Sequence, residues 1–221
     1  MTVIEHITID RLLPVVFREE KEESRIAGSE VWLKHLDIAK PQSYLVYAES
    51  GTGKSSLCAY LYGNRRDYDG KILFDGEDVG TYTPEKWSRL RREALAYLPQ
   101  QLSLFPELTA IDNVLLKNRL TDYSSEADIR LMFQQLAIDN RADVVAGRLS
   151  IGQQQRVAII RALVQPFDFL LLDEPVSHLD ARNNEVVAQM IAAEARKRGA
   201  SIIATSVGNH LSISDFKMLR L

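Results

Sequence analysis

The sequence predicts an α/β fold: a mostly parallel sheet flanked by helices, an antiparallel β edge, and an inserted α-helical block. Three observations predict it. Ser43–Ala48 is a short apolar strand that passes through a glycine-punctuated turn into the helical stretch Ser55–Tyr62, the strand–turn–helix unit of α/β proteins. Phe167–Leu172 is an uninterrupted apolar run, as expected of a central strand covered on both faces. Between them, Leu102–Gln165 takes on helical periodicity, so a helical block interrupts an otherwise alternating order.

The elements follow in turn. Val3–Ile9 and Leu12–Phe17 read as two short strands, and the charged run Arg18–Arg25 as a solvated extension of the turn behind them. Val31–Ile38 alternates apolar and polar residues, like an edge strand with one buried face. Lys71–Asp75 before Gly76 is a strand and turn, Pro84–Glu93 a helix with proline near its start, and Ala94–Leu98 another strand. Thr109 is positioned to cap Ala110–Asn118, and Ser124 or Ser125 to cap Glu126–Ala137. Gln153–Val164 and the long amphipathic Asp180–Arg198 are helices; Ser201–Thr205 and Asp215–Leu221 are strands. There is no internal repeat and no low-complexity tract.

With 221 residues, the chain fits one α/β domain with a real core. Its net charge of −3 supplies no field to draw nucleic acid or an anionic membrane. No apolar run is long enough to cross a bilayer and no signal peptide opens the chain. A single cysteine, Cys58, excludes an internal disulfide and fits a reducing compartment such as the cytosol.

Ala48-Glu49-Ser50-Gly51-Thr52-Gly53-Lys54-Ser55 matches the pattern G-x-x-x-x-G-K-[ST] except at its first position. Such a loop aims successive backbone N–H groups at phosphate oxygens, which needs glycines where a side chain would block the approach. The following helix turns its N-terminus toward the anion. Ser50, Gly51, Thr52, Gly53, Lys54, Ser55 and Ser56 are therefore the candidate nucleotide-binding residues. Lys54 is expected to neutralise the β- and γ-phosphates, and the Ser55 hydroxyl to coordinate Mg²⁺.

Phe169-Leu170-Leu171-Leu172-Asp173-Glu174 is an apolar strand ending in two carboxylates. Asp173 is expected to reach Mg²⁺ through water beside Ser55, and Glu174 to polarise the attacking water.

Together these motifs resemble the ATP-binding-cassette (ABC) ATPase family, from about Leu12 to the C-terminus. Leu149-Ser150-Ile151-Gly152-Gln153-Gln154-Gln155-Arg156 is similar to the family signature LSGGQQQR. In that family the signature binds the γ-phosphate held by a second subunit. The resemblance thus implies a head-to-tail dimer, homomeric or with another ABC subunit, in which Ser150, Gly152 and Gln153 reach nucleotide in trans. Gln100, ahead of Leu104-Phe105-Pro106-Glu107-Leu108-Thr109, resembles the family's Q-loop glutamine, a ligand of Mg²⁺ and sensor of the γ-phosphate; Gln101 is its alternative. Ser177-His178-Leu179-Asp180 matches the D-loop, which places Ser177 and Asp180 at the dimer interface. Phe17 is the candidate for stacking on adenine, while Trp32, Tyr44 and Tyr47 read as core. The implied organisation is one domain: a RecA-like P-loop core with its β subdomain over residues 1–101 and 166–221, and a helical signature subdomain over 102–165.

Three positions depart from the family pattern: Ala48 and Ile151 stand where glycines are expected, and Ser206 where a switch histidine is expected. His210 lies four residues beyond. A charge-assisted hydrogen bond of the kind such a histidine makes is worth about 1.5–3 kcal/mol, or about 10- to 150-fold in rate. The expectation is slow hydrolysis rather than none, because Lys54, Ser55, Asp173 and Glu174 are all present. The implied function is an ATP-binding, ATP-hydrolysing subunit of an ABC transporter or related mechanochemical membrane complex. Its cofactors are ATP and Mg²⁺; a separate integral membrane subunit docks near Leu104-Phe105-Pro106; its place is peripheral, on the cytoplasmic face of the cell membrane. A largely inactive cassette with a scaffolding or regulatory role, and a soluble ABC protein outside transport, are the alternatives.

Overall fold

The computed structural model describes residues 3–20 and 24–221. In chain order the elements are β1 (His6–Pro14), the short helix α1 (Ser24–Ala27), β2 (His35–Ala39), β3 (Tyr44–Tyr47), α2 (Lys54–Leu61), β4 (Tyr68–Phe74) and β5 (Glu77–Asp78). There follow α3 (Pro84–Glu93), β6 (Leu95–Leu98), α4 (Ala110–Asn118), α5 (Glu126–Gln135) and α6 (Ile151–Leu163). The chain closes with β7 (Phe169–Asp173), α7 (Ala181–Arg198), β8 (Ser201–Ser206) and β9 (Lys217–Arg220). Two sheets result. One is four-stranded and antiparallel, in the order β2-β1-β4-β5; the other is five-stranded and parallel, in the order β6-β7-β8-β3-β9.

The parallel sheet explains the apolar run that predicted it. Every residue of β7 is buried, and alternate side chains enter different cores. Leu170 and Leu172 pack with the helices α4–α7, whereas Phe169 and Leu171 pack with α2 and the antiparallel sheet. A strand with two apolar neighbours has no polar face, so its sequence cannot alternate.

The N-terminal strands differ from the sequence reading. Val3–Ile9 and Leu12–Phe17 are one strand, β1, with a bulge: Arg11 takes φ 49° and the register with β4 shifts between Asp10 and Leu13. Gly70 accommodates this bulge from β4, with φ 89°; a Cβ there would lie 2.4 Å from the Arg11 carbonyl oxygen. After Pro14 the chain turns into a 3-10 helix, Val15–Glu20, which carries Phe17. The strand expected from Val31 begins only at His35, because Leu33 takes φ 60° and makes 31–34 a turn. Of the charged run Arg18–Arg25, residues 21–23 lie outside the described residues. Arg18 itself donates twice to Asp69, at 2.8 and 2.7 Å.

Helix starts follow the caps. Thr109, Ser125 and Asp180 each accept a backbone N–H at the head of α4, α5 and α7. Between the two candidate serines, Ser125 is the cap, in a capping box with Asp128. Helix α5 stops before the expected Ala137, which takes φ 52°. Helix α6 begins two residues earlier than expected. Ser150 caps it, so Ile151 and Gly152 open its first turn instead of preceding it. The fold thus brings the C-terminal ends of β3, β7 and β8 to one edge of the sheet, where open α/β sheets bind ligands.

Candidate functional site

Residues 48–53 leave that edge between β3 and α2. Gly51 takes φ 83° with open space where a Cβ would be, and Gly53 takes φ 96° as N-cap of α2. No side chain caps α2, so the N–H groups of its first turn remain for an anion. Lys54 is buried, and its ammonium donates to the carbonyls of Ala48 (3.0 Å) and Glu49. Burial holds its pKa below the ordinary lysine value, against the opposing pull of Glu174 and Asp173. Ser50 and Ser55 are exposed. Thr52 Oγ1 donates to the Glu49 carbonyl at 2.9 Å, and Ser56 Oγ accepts from Arg65 at 2.8 Å. The Ala48 N–H bonds the Ser206 carbonyl at 3.3 Å, tying the loop's start to β8.

The two acids arrive from β7. Asp173 is buried and accepts from Thr205 Oγ1 at 2.8 Å; the same hydroxyl accepts the Glu174 N–H at 3.2 Å. Glu174 takes φ 50°, the left-handed region that costs a non-glycine residue about 1–3 kcal/mol. Gln100 Nε2 donates to its carboxylate at 3.3 Å. Thr205 is not among the residues that the sequence singles out, although a hydroxyl near the end of a buried, mostly apolar strand is a usable signal. Among the described residues no cluster of three His, Cys, Asp or Glu side chains could hold a metal. Mg²⁺ is usually taken by one or two protein oxygens with water and phosphate. The exposed Ser55 hydroxyl and the single buried carboxylate of Asp173 suit that chemistry.

Ser206 is the last residue of β8, buried, with Oγ donating to the Asn209 carbonyl at 2.8 Å. His210 is exposed, its Nδ1 3.5 Å from the Gly208 carbonyl.

Ser150 and Gln153 close the capping box of α6: the Ser150 N–H bonds Gln153 Oε1 at 3.0 Å, and the Gln153 N–H bonds Ser150 Oγ at 3.3 Å. Ile151 is 50% exposed, so its side chain stands at the surface and displaces nothing in the core. Gly152 lies against the next loop, where a Cβ would come 3.1 Å from the His178 carbonyl. Gln155, fully buried, joins α6 to that loop: Oε1 accepts the His178 N–H at 3.1 Å, and Nε2 reaches the Glu174 carbonyl at 3.4 Å. Ser177 and His178 are exposed and in contact at 3.0 Å; Asp180 caps α7. Gln155→Leu is expected to lose about 0.5–1.5 kcal/mol of stability by removing the buried amide that bonds the His178 N–H. Urea unfolding checks it, and an unchanged midpoint would refute the linkage.

Phe17, the candidate for stacking on adenine, lies on the 3-10 helix that follows β1. It is buried and its Cε2 lies 3.1 Å from where a Gly53 Cβ would be. The 3-10 turn thus packs its ring edge against the loop at Gly53.

The family model described as "ABC transporter" matches residues 34–177. The chain is 30% identical over 191 residues to the lipoprotein-releasing system ATP-binding protein LolD of Francisella tularensis subsp. tularensis, covering 85% of this chain and 83% of that protein. It is 34% identical over 184 residues to an uncharacterized ABC transporter ATP-binding protein of Mycobacterium tuberculosis, covering 82% and 56%. A dimeric ATP-binding cassette solved in a post-hydrolysis state with ADP and Pi superposes with a TM-score of 0.74 at 21% identity, over 90% of this chain and 87% of that one.

Proposed function

Because this chain belongs to the ABC transporter family, we propose that it is the ATP-binding and ATP-hydrolysing subunit of a membrane transport complex. The observation that carries the proposal is the meeting, at one sheet edge, of the 48–55 loop with Asp173, Glu174 and Gln100. Residues 50–56 cradle the triphosphate with backbone N–H groups. Lys54 exchanges its bonds to the loop carbonyls for the β- and γ-phosphates. Ser55, Gln100 and Asp173 would hold Mg²⁺, which would neutralise charge on the phosphates when bound. Glu174, oriented by Gln100, accepts a proton from the water that attacks the γ-phosphorus, and ADP leaves with the bridging oxygen.

Ser150, Gly152 and Gln153 meet the nucleotide of a second cassette, with Ser177 and Asp180 at the contact, in a head-to-tail dimer. Residues 102–165 act as the signature subdomain. Hydrolysis removes the bridging charge contacts and lets the dimer open.

No helix among the described residues is long and apolar enough to cross a membrane; a separate integral membrane subunit, docked at the cytoplasmic face, supplies the spanning part. A groove of about 560 Å³ between α4, the end of β6 and α6 is its docking place. Phe105, Leu116 and Leu120 are large exposed apolar residues along it. At its floor, Lys117 and Arg161 form no salt bridge among the described residues; Arg161 donates to the carbonyls of Leu102 and Ser103. Burial, with Arg161 nearby, pushes Lys117 down to about 8. A docking segment that brings a carboxylate to Lys117 raises that pKa. Affinity is then flat below pH 8, where Lys117 is charged in both states. It falls above pH 8 by up to about tenfold per unit, as docking must take up a proton. Binding of the membrane partner measured between pH 6.5 and 9.5 checks this; the slope should vanish in Lys117→Met.

The proposal as a whole is tested by ATP turnover of the chain alone and with a co-purifying polytopic membrane protein. Coupled stimulation supports it. The absence of any such partner, or turnover indifferent to it, refutes the transport reading.

A further inference from the structure

The indole of Trp32 is almost fully buried, and its Nε1–H donates to the Thr52 carbonyl at 3.0 Å. Its Cζ2 lies 3.0 Å, and Phe17 Cε2 3.1 Å, from the point where a Gly53 Cβ would sit. Two aromatic rings therefore press on the phosphate loop from the core side at the residue that opens α2. Trp32 is itself anchored. Its N–H and that of Val31 both bond the buried Ser29 Oγ, at 2.8 and 3.0 Å, and the next N–H, of Leu33, bonds the Leu12 carbonyl on β1 at 2.9 Å.

This matters through the geometry of the peptide unit. The Thr52 carbonyl and the Gly53 N–H belong to one planar trans peptide, in which C=O and N–H point in opposite directions. Holding that carbonyl toward the indole turns the Gly53 N–H away from the core, toward the cradle. We infer that Trp32, backed by Phe17, is a positioning residue that orients the Thr52–Gly53 peptide for the triphosphate, and not a platform for the base. The inference rests on reading residues 48–55 as the triphosphate site.

The two roles separate when the base is removed from the ligand. Inorganic tripolyphosphate and ATP, each with Mg²⁺, are titrated by calorimetry into the wild-type chain, Trp32→Phe and Phe17→Leu. Trp32→Phe keeps a ring and deletes the donor. It should weaken both ligands by the same factor, about 3- to 10-fold, the value of one neutral hydrogen bond. Phe17→Leu should weaken both equally and by less. A loss confined to ATP would assign the aromatics to the base and overturn the inference. A lowered melting temperature with both affinities unchanged would make them mere core and overturn it too.

The chain has two tryptophans, so Trp87→Phe leaves Trp32 as the single emitter without touching it. Its emission should change when tripolyphosphate binds; a silent Trp32 at saturation would count against the inference, even where Trp32→Phe does not fold. If the wild-type chain binds neither ligand, the assignment of the site itself fails, which is a separate outcome.

Discussion

Glu174→Gln should bind ATP about as well as the wild-type chain and lose about 10²- to 10⁴-fold of its turnover, the usual contribution of a positioned general base. The geometry makes this substitution cleaner than most. Glu174 is held by its backbone, whose N–H bonds Thr205 Oγ1, and by the Gln100 amide at its carboxylate. A glutamine of the same shape keeps the first bond and most of the packing, but its amide accepts no proton from water. With hydrolysis blocked and ATP bound, the proposed dimer should accumulate. Size-exclusion chromatography at saturating Mg²⁺-ATP checks it. A strict monomer would refute the head-to-tail sandwich, and retained turnover would refute the role of Glu174 as base.

Ser206→His should raise kcat by about 10- to 150-fold, the rate equivalent of one charge-assisted hydrogen bond to the γ-phosphate. Ser206 ends β8, beside the start of the phosphate loop that it bonds through its carbonyl. Its own hydroxyl holds only the Asn209 carbonyl. The side chain is buried, so an imidazole needs room. Val207, Gly208, Asn209 and His210 are all exposed, and a surface loop of this kind yields at small cost. Steady-state ATPase rates at saturating ATP decide the matter. No gain would mean that Ser206 does not limit hydrolysis, and the expectation of slow turnover would lose its basis. His210→Ala, measured beside it, shows whether the exposed histidine already supplies the contact.

How much was legible in the sequence depended on how local the physics is. Thr109 and Pro84 announce their helices because a cap or a first-turn proline acts within one turn of its own chain, whereas Asp180, which reads as the first residue of its helix, is its cap. The parallel sheet was legible from Phe169–Leu172 because burial on both faces leaves a run that no half-exposed strand shows. The N-terminal strands were misjudged for the opposite reason. The bulge at Arg11 exists because Gly70, 59 residues on, leaves room for its carbonyl, and nothing adjacent to Arg11 announces it. Likewise the turn at Leu33 interrupts an alternation that reads as a strand. Ser150 was read as part of a loop before a helix, yet its hydroxyl and the Gln153 amide begin that helix themselves.

The same division runs through the site. The candidate phosphate loop, the acid pair at the end of β7 and the signature are readable from the chain alone, because each is a short string whose chemistry depends on residue type and spacing. The groups that hold them come from the packing: Trp32 on the Thr52 carbonyl, Thr205 between Asp173 and Glu174, and Gln155 between α6 and the 174–180 loop. The packing of Phe17 against Gly53 is likewise a tertiary contact. The three hydrogen-bonded contacts share one cause. A buried side chain's partner is chosen by where distant segments pack, since each buried polar group must find whichever complement the fold brings within about 3 Å.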